Sequence, residues 1–474
     1  MILKRFYDPK LAQASYLIGC GKTGESIVID PNRDTGQYTS MAKAEGVRVT
    51  HVTETHIHAD FVSGSRELAA RTGAQLFLSG EGGEDWQYGY AAEAKATLLR
   101  SGSLITVGNI RIEVLHTPGH TPEHIIFVVT DTAAATAPIA IVTGDFVFVG
   151  DVGRPDLLEK AAKVKGTMDQ AARTLFHSLQ TFKSQPDYLQ IWPGHGAGSA
   201  CGKGLSAIPH STVGYERMFN WAFAITDEEE FVRQVLAGQP DPPKYFAEMK
   251  RINRDGPPVL GGFTTPPLLE ATRLGPLLAQ GSVVIDTRPA AEYAAGHVPG
   301  TLNIPLNKSF NTWAGWLVPY DRDIYLIVND RENQDKVREA VKDLAMIGLD
   351  RVAGYLSLAA VQAWAERDGG LAAIRQVQVG ELQDLMVDNK ATVIDVRARS
   401  EWEAGHLPGV RNIPLGHIAE HIDELPRDRP LVMHCQGGSR SAIAASLLRG
   451  KGFENVANMV GGFQAWEKAG GKVE

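Results

Sequence analysis

The segment Thr55-His56-Ile57-His58-Ala59-Asp60-Phe61 sets two histidines two residues apart and a carboxylate two further on. It follows the apolar alternation Val47-Arg48-Val49-Thr50-His51-Val52 and so lies at a strand's end, where neutral imidazoles can converge on a cation. Three later segments present similar groups. His120 stands on the Pro-Gly turn of Leu115-His116-Thr117-Pro118-Gly119-His120-Thr121. Asp145 ends the buried run Ala140-Ile141-Val142-Thr143-Gly144, and His195 ends Ile191-Trp192-Pro193-Gly194. A lone His-x-His pair is an ordinary surface or core occurrence. Four such motifs, in order, point to a bound metal.

A second chemistry is written near the C-terminus. The strand Leu431-Val432-Met433-His434 runs into Cys435-Gln436-Gly437-Gly438-Ser439-Arg440, followed by a helix from Ser441 to Leu448. Strand, tight loop and helix make an anion cradle in which loop amides and the helix N-terminus face whatever the cysteine carries. That setting lowers a thiol pKa, so Cys435 reads as a nucleophilic thiolate and, after attack, a stabilised persulfide. Gln436, Gly437, Gly438 and Ser439 form the persulfide loop, and Arg440 closes it with positive charge.

These groups need a multidomain scaffold. At 474 residues the chain is too long for one core, and length suggests about three domains. An internal repeat divides it. Asp286-Thr287-Arg288, then Glu292-Tyr293-Ala294-Ala295-Gly296-His297-Val298-Pro299-Gly300 and Asn303-Ile304-Pro305-Leu306, recurs 109 residues later. The second copy reads Asp395-Val396-Arg397, Glu401-Trp402-Glu403-Ala404-Gly405-His406-Leu407-Pro408-Gly409 and Asn412-Ile413-Pro414-Leu415. Each copy opens with an apolar strand and then alternates strands with helical stretches, which indicates a doubly wound α/β domain. The expected boundaries are 1–250 for the metal domain, 251–266 for a Pro/Gly-rich linker, and 267–372 and 375–474 for the copies. Residues 1–250, with strand-rich halves and helices between, match an αββα sandwich.

Composition narrows the function classes. Hydrophobic content of 43% with 22% charged residues is ordinary for globular protein, and a net charge of −8 argues against a nucleic-acid surface. No apolar run approaches the roughly 20 residues of a membrane span. The start, Met1-Ile2-Leu3-Lys4-Arg5-Phe6-Tyr7, lacks the apolar core of a secretion signal. Cys20, Cys201 and Cys435 are odd in number and far apart, which suits free thiols and a cytoplasmic setting.

The first motif resembles the His-x-His-x-Asp-His of the metallo-β-lactamase superfamily, with Phe61 in the last place, where a phenyl ring cannot coordinate. The repeat resembles rhodanese domains, and Cys-x-x-Gly-x-Arg in that frame makes Cys435 and Arg440 the expected catalytic pair. In the first copy, Asn329-Asp330-Arg331-Glu332-Asn333-Gln334 stands at the loop without cysteine or glycine, so that copy is expected to be inert. Taken together, the chain resembles bacterial fusions of a persulfide dioxygenase with rhodanese domains. The resemblance implies one Fe(II) per chain on His56, His120 and Asp145, with Zn possible in purified samples. A two-His-one-carboxylate face leaves positions open for sulfur and dioxygen. It further implies that His58, Asp60, His195 and Asp156 surround the site without binding the iron.

The implied reaction joins a low-molecular-weight thiol persulfide (of glutathione, coenzyme A or a similar carrier) with O2 to give thiol and sulfite, coupled to thiosulfate chemistry at Cys435. No nucleic-acid or membrane partner is expected, and a homo-oligomer is. Arg154, in Gly153-Arg154-Pro155-Asp156, pairs either with the carrier's carboxylate or with Asp156. In the glycine-rich loop after His195, Lys203 offers a cation for the carrier. Cys201 there is either a sulfur acceptor or a small buried residue. Two competing readings are a glyoxalase-II-like zinc thioester hydrolase and a non-enzymatic sulfur carrier or sensor.

Overall fold

A computed structural model describes residues 1–160, 166–329, 334–367, 370–387 and 390–474. Two compact units emerge: Met1–Phe263 with Ala345–Gly348, and Thr264–Leu344 with Leu349–Glu474.

In the first unit, Ile2–Asp8 (β1), Gln13–Cys20 (β2), Glu25–Ile29 (β3), Arg48–Thr53 (β4), Gln75–Ser79 (β5) and Thr97–Leu99 (β6) form a sheet in chain order. Leu104–Val107 (β7), Ile110–His116 (β8), Ile125–Asp131 (β9), Ala140–Gly144 (β10), Gln190–Pro193 (β11) and Ser211–Thr212 (β12) form a second. Side-chain alternation decides the layers. Tyr16 and Ile18 of β2 join Phe127, Val129 and Trp192 in a core between the sheets. Leu17, one residue along, packs instead with Tyr38 of helix α1 (Thr35–Ala44) and Leu68 of α2 (Ser65–Thr72). On the other side Ile126, Val128 and Ile141 meet Leu175 and Leu179 of α3 (Met168–Phe182) and Phe231 of α4 (Glu228–Leu236). This is the expected αββα sandwich. Each fully buried Leu, Ile or Phe contributes about 1.5–3 kcal/mol to it.

The helix α5 (Tyr245–Asp255) enters the stretch read from sequence as linker, because Phe246, Met249 and Asn253 are buried. Asn253 has a further task. Its side-chain amide donates to the carbonyls of His58 (2.7 Å) and Phe61 (2.8 Å), pinning the first motif.

The second unit holds two parallel sheets. Val283–Asp286 (β13), Leu302–Asn303 (β14), Ile324–Val328 (β15) and Val352–Ser357 (β16) run in the order β14-β13-β15-β16. Arg375–Val377 (β17), Thr392–Asp395 (β18), Arg411–Asn412 (β19), Leu431–His434 (β20) and Val456–Met459 (β21) run β17-β21-β20-β18-β19. The repeated motif is framework in both copies. Arg288 reaches Asp286 at 2.6 Å and the Gly296 carbonyl at 3.1 Å. Arg397 reaches Asp395 at 2.8 Å and the Gly405 carbonyl at 2.7 Å. Asn303 and Asn412 each donate to two backbone carbonyls of the Asp-x-Arg segment beside them. Among the described residues, no helix is long and apolar enough to cross a membrane.

Arg397 and Asp395 are both buried, so removing one partner strands the other charge. Arg397→Met should therefore destabilise the second unit by about 3–5 kcal/mol, read as an earlier unfolding transition in denaturant while that of the first unit stays put.

Candidate metal centre and thiolate loop

The segment after β4, the Thr117–His124 turn between β8 and β9, and the ends of β10 and β11 converge. His56 Nε2 lies 3.9 Å and His120 Nε2 3.6 Å from Asp145 Oδ2. All three donor atoms fall within 4.8 Å of one another, and all three residues are buried. Close backbone packing makes this possible. Gly144 sits at φ 50°, where a Cβ would lie 2.5 Å from Thr55 Oγ1. At Gly153 a Cβ would come within 1.8 Å of the Asp145 carbonyl oxygen.

Neighbouring hydrogen bonds set which nitrogen is free. Thr55 Oγ1 donates its one hydrogen to Asp30 Oδ2 (3.0 Å), so it accepts from His56 Nδ1 (2.9 Å). His120 Nδ1 donates to the Arg154 carbonyl (3.0 Å). Both Nε2 atoms therefore carry lone pairs aimed at Asp145. Burial pushes the His56 and His120 pKa values down, which keeps these rings neutral. Burial opposes the charge on Asp145, yet His195 foremost holds its carboxyl well below the usual range. His56 Nε2 and Asp145 Oδ2 are buried without a hydrogen-bond partner. Two neutral imidazoles and a carboxylate with orphaned atoms at one point fit a divalent metal.

His195 bridges two carboxylates, 2.7 Å from Asp145 Oδ1 through Nδ1 and 2.7 Å from Asp60 Oδ2 through Nε2. Donating both ways requires the imidazolium, and its pKa is held well above normal by Asp145 and Asp60 in spite of burial. Asp60, His195 and Cys201 form a second close trio, but in this state His195 offers it no lone pair. His58 Nε2 meets Asp30 Oδ1 at 3.2 Å, and its pKa is raised to about 9 although burial works against that, chiefly by Asp30. Phe61 is fully buried, its ring 4.4 Å from that of His58.

The structure bears on the two readings left open at Arg154 and at Cys201, and on the cation expected at Lys203. Arg154 is not a free cation for a carrier: it is fully buried, forks onto Asp156 (2.7 and 2.8 Å) and donates to the carbonyls of Ala200 and Pro240. Asp156 thus holds the side chain of Arg154, the residue whose carbonyl receives His120 Nδ1. Lys203 directs its ammonium to the carbonyls of Gln234 and Ala237 at the end of α4, over the Trp221 ring. Cys201 lies beside Asp60 and His195, but it is 1% exposed, and burial with Asp60 and Asp145 pushes its thiol pKa well up. A protonated, enclosed thiol is a poor sulfur acceptor.

Sequence reading overlooked Asp30, Thr55, Glu123 and His124. Asp30 follows β3 at φ 53°, a strained conformation for a non-glycine residue, and also accepts from the Thr55 amide at 2.6 Å. Glu123 accepts from the Ile57 amide at 2.8 Å. His124 faces His56 but spends its Nε2 lone pair on the Asp145 amide (3.2 Å). A carboxylate ending an apolar strand, and a histidine four residues past His120, were the available signals.

In the second unit, Cys435 leaves β20 and accepts from the Gly438 amide (3.1 Å) and from Ser441 Oγ (3.4 Å). Gly438, at φ 96°, leads into helix α6 (Ser439–Gly450). Gln436 receives Arg397 Nη1 at 3.2 Å. Arg440 forks onto Glu401 at 2.6 and 2.7 Å while also interacting with Cys435. Gly437 and Ser439 are exposed at the mouth of the loop. In the first copy, residues 330–333 lie outside the described residues.

Asp30 touches no donor atom of the trio, yet it orders Thr55 and His58. Asp30→Asn should weaken metal retention by about 10–100-fold, measured as metal remaining after graded chelator challenge.

The comparisons agree with this architecture. The Metallo-beta-lactamase superfamily profile matches residues 8–195, and the Rhodanese-like domain profile matches 270–360 and 378–469. A crystal structure of a metallo-beta-lactamase from Staphylococcus aureus is 45% identical, with TM-score 0.69, covering 75% of this chain and 99% of its own. The mitochondrial persulfide dioxygenase ETHE1 of Bos taurus is 29% identical over 234 residues, 48% of this chain and 78% of that protein. The thiosulfate sulfurtransferase GlpE of Pseudoalteromonas translucida is 34% identical over 97 residues, 20% of this chain and 92% of its own. This chain belongs to the metallo-β-lactamase superfamily, as a fusion of one such domain with two rhodanese-like domains.

Proposed function

We propose that this enzyme of sulfur metabolism oxidises a low-molecular-weight thiol persulfide with O2 at one Fe(II) held by His56, His120 and Asp145. The observation that carries this reading is the trio of buried, lone-pair-bearing donors, two neutral imidazoles and one carboxylate. Persulfide, O2 and water give thiol, sulfite and two protons; the outer sulfur loses four electrons, and O2 takes them. Iron, when bound on such a face, supplies a redox-active centre with open positions for sulfur and dioxygen. The chain's residues do the rest. Thr55 and the Arg154 carbonyl hold the two imidazole tautomers. The His195 imidazolium keeps Asp145 anionic and turns one oxygen outward to the trio. Phe61 fills, with an apolar ring, the place where the superfamily carries a further histidine.

The second half of the reading assigns sulfane-sulfur transfer to Cys435. The thiolate takes the outer sulfur of a donor, the donor's S–S bond breaks, and the resulting Cys435 persulfide passes that sulfur to an acceptor such as sulfite, forming thiosulfate. The Gly438 amide and Ser441 hydroxyl at its sulfur support this, as does the sulfurtransferase relative. The first copy has no cysteine at this loop and is assigned no transfer.

Anaerobically iron-loaded protein should consume O2 in proportion to added persulfide and hold about one iron per chain. Two tightly held ions, or no uptake with any persulfide, would overturn the reading.

The two chemistries should also separate. Asp145→Asn is expected to abolish O2 uptake and leave thiosulfate:cyanide transfer intact, and Cys435→Ser the reverse. Sulfur transfer surviving in the Cys435→Ser protein would refute the assignment.

A further inference from the structure

The loop from Cys435 to Arg440 holds one cation of its own, Arg440. Its two terminal nitrogens donate to the two oxygens of Glu401, at 2.6 and 2.7 Å. This fork matches guanidinium to carboxylate and leaves neither terminal nitrogen uncommitted. Both side chains are half-buried, so solvent screens the pair less than at an open surface. Glu401 is also fixed independently of Arg440. It lies in the short helix Arg399–Glu403, and its Oε2 accepts from the Ala398 amide at 3.0 Å. Burial opposes its charge, yet Arg440 and that amide hold its carboxyl below the usual range.

The guanidinium that reaches the loop from outside is answered as well. Arg397 is buried, donates to Asp395 and to the Gly405 carbonyl, and gives Nη1 to Gln436. The Gly438 amide and the Ser441 hydroxyl serve the Cys435 sulfur itself. One transferable sulfur atom is therefore well received at this loop. The sulfonate end of a thiosulfate dianion needs cations further out, and there it meets an ion pair of no net charge whose carboxylate repels it.

We infer that Glu401 is the positioning residue that sets anion selectivity at Cys435: it withholds the Arg440 guanidinium from doubly charged sulfur anions, so that the loop binds thiosulfate weakly and releases it as a product. The inference rests on the sulfur-transfer reading of Cys435 and deepens it. The loop is then loaded by a donor whose reacting end carries at most one negative charge, as a thiol persulfide does. The Cys435 thiolate takes the outer sulfur while the donor's S–S bond breaks, and the carrier thiolate departs with the electron pair. The lone pair of sulfite then forms a bond to the outer sulfur of the Cys435 persulfide, and the electron pair of the breaking S–S bond returns to Cys435. Thiosulfate leaves a loop whose two guanidinium groups are already paired with carboxylates.

Two sulfur donors that share the reacting S–S bond and differ by one charge test this in the full-length chain: thiosulfate and methanethiosulfonate, each with cyanide as acceptor. Glu401→Gln should lower the KM for thiosulfate at least about tenfold, the worth of one charge-assisted hydrogen bond, and move that for methanethiosulfonate much less. Added salt should shrink the gain. Glu401→Asp, which keeps the carboxylate, should leave the thiosulfate KM high. Binding is read separately, by calorimetric titration of thiosulfate into the Cys435→Ser protein with and without Glu401→Gln. The substitution should tighten binding by a similar factor, and adding Arg440→Met should cancel the gain in both assays. Activity lost toward both donors alike in the Glu401→Gln protein marks a mere brace for the loop and overturns the inference, as does an unchanged or higher thiosulfate KM. Tighter binding in a protein that transfers sulfur from neither donor defeats the transfer reading alone. Transfer by the wild type, with no tightening in the Glu401→Gln protein, defeats the role of Glu401 alone.

Discussion

The hydrogen bonding of the first unit's site turns on three buried donor atoms, two of which, His56 Nε2 and Asp145 Oδ2, have no hydrogen-bond partner. Buried, unpaired polar atoms are costly, and a fold that places His56 Nε2 and Asp145 Oδ2 in that condition offers a site that fits a cation. The surrounding hydrogen bonds follow from that demand. Thr55, backed by Asp30, and the Arg154 carbonyl occupy the Nδ1 positions, so each imidazole turns a lone pair inward. His195 performs the complementary task for the carboxylate, engaging one oxygen and leaving the other. Asp30 accepts strained backbone geometry to reach both Thr55 and His58, a cost of about 1–3 kcal/mol that the rest of the sandwich must sustain.

The second unit solves a different electrostatic problem with the same economy of means. The Gly438 amide and the Ser441 hydroxyl both donate to the Cys435 sulfur at the start of α6. The loop's backbone is anchored from behind. Phe463 donates its amide to the Cys435 carbonyl, and Arg397 holds Gln436. Since Arg397 is itself pinned by Asp395 and the Gly405 carbonyl, the repeated Asp-x-Arg framework supports the Cys435 loop in one copy. The other copy has the same framework, and its sequence carries no cysteine. The two copies thus share the framework, while the one cysteine of the repeat, Cys435, stands in the second.

The sequence by itself determined the inventory of chemistry: His56, His120, Asp145 and Cys435 at strand ends, Phe61 where a ligand is otherwise carried, and no thiol at the first copy's loop. Such features are legible because they are local. A strand's alternation and the turn after it place a side chain at a sheet edge with no knowledge of the rest of the chain. The αββα layering and the doubly wound repeat were legible for the same reason.

What only the tertiary structure decided was which charges are already answered. Arg154 finds Asp156 two residues away but also the Pro240 carbonyl 86 residues on, and Lys203 finds the end of α4 31 and 34 residues later. Cys201 is enclosed beside Asp60 and Asp145, groups from distant loops. Lys250 and Arg254, which no motif marked, come together with Pro118 and Gly119 on the lining of one cavity. A hydrogen bond satisfies a cation through proximity in space, and proximity between residues far apart in the chain arises only when both sheets and their helices have packed.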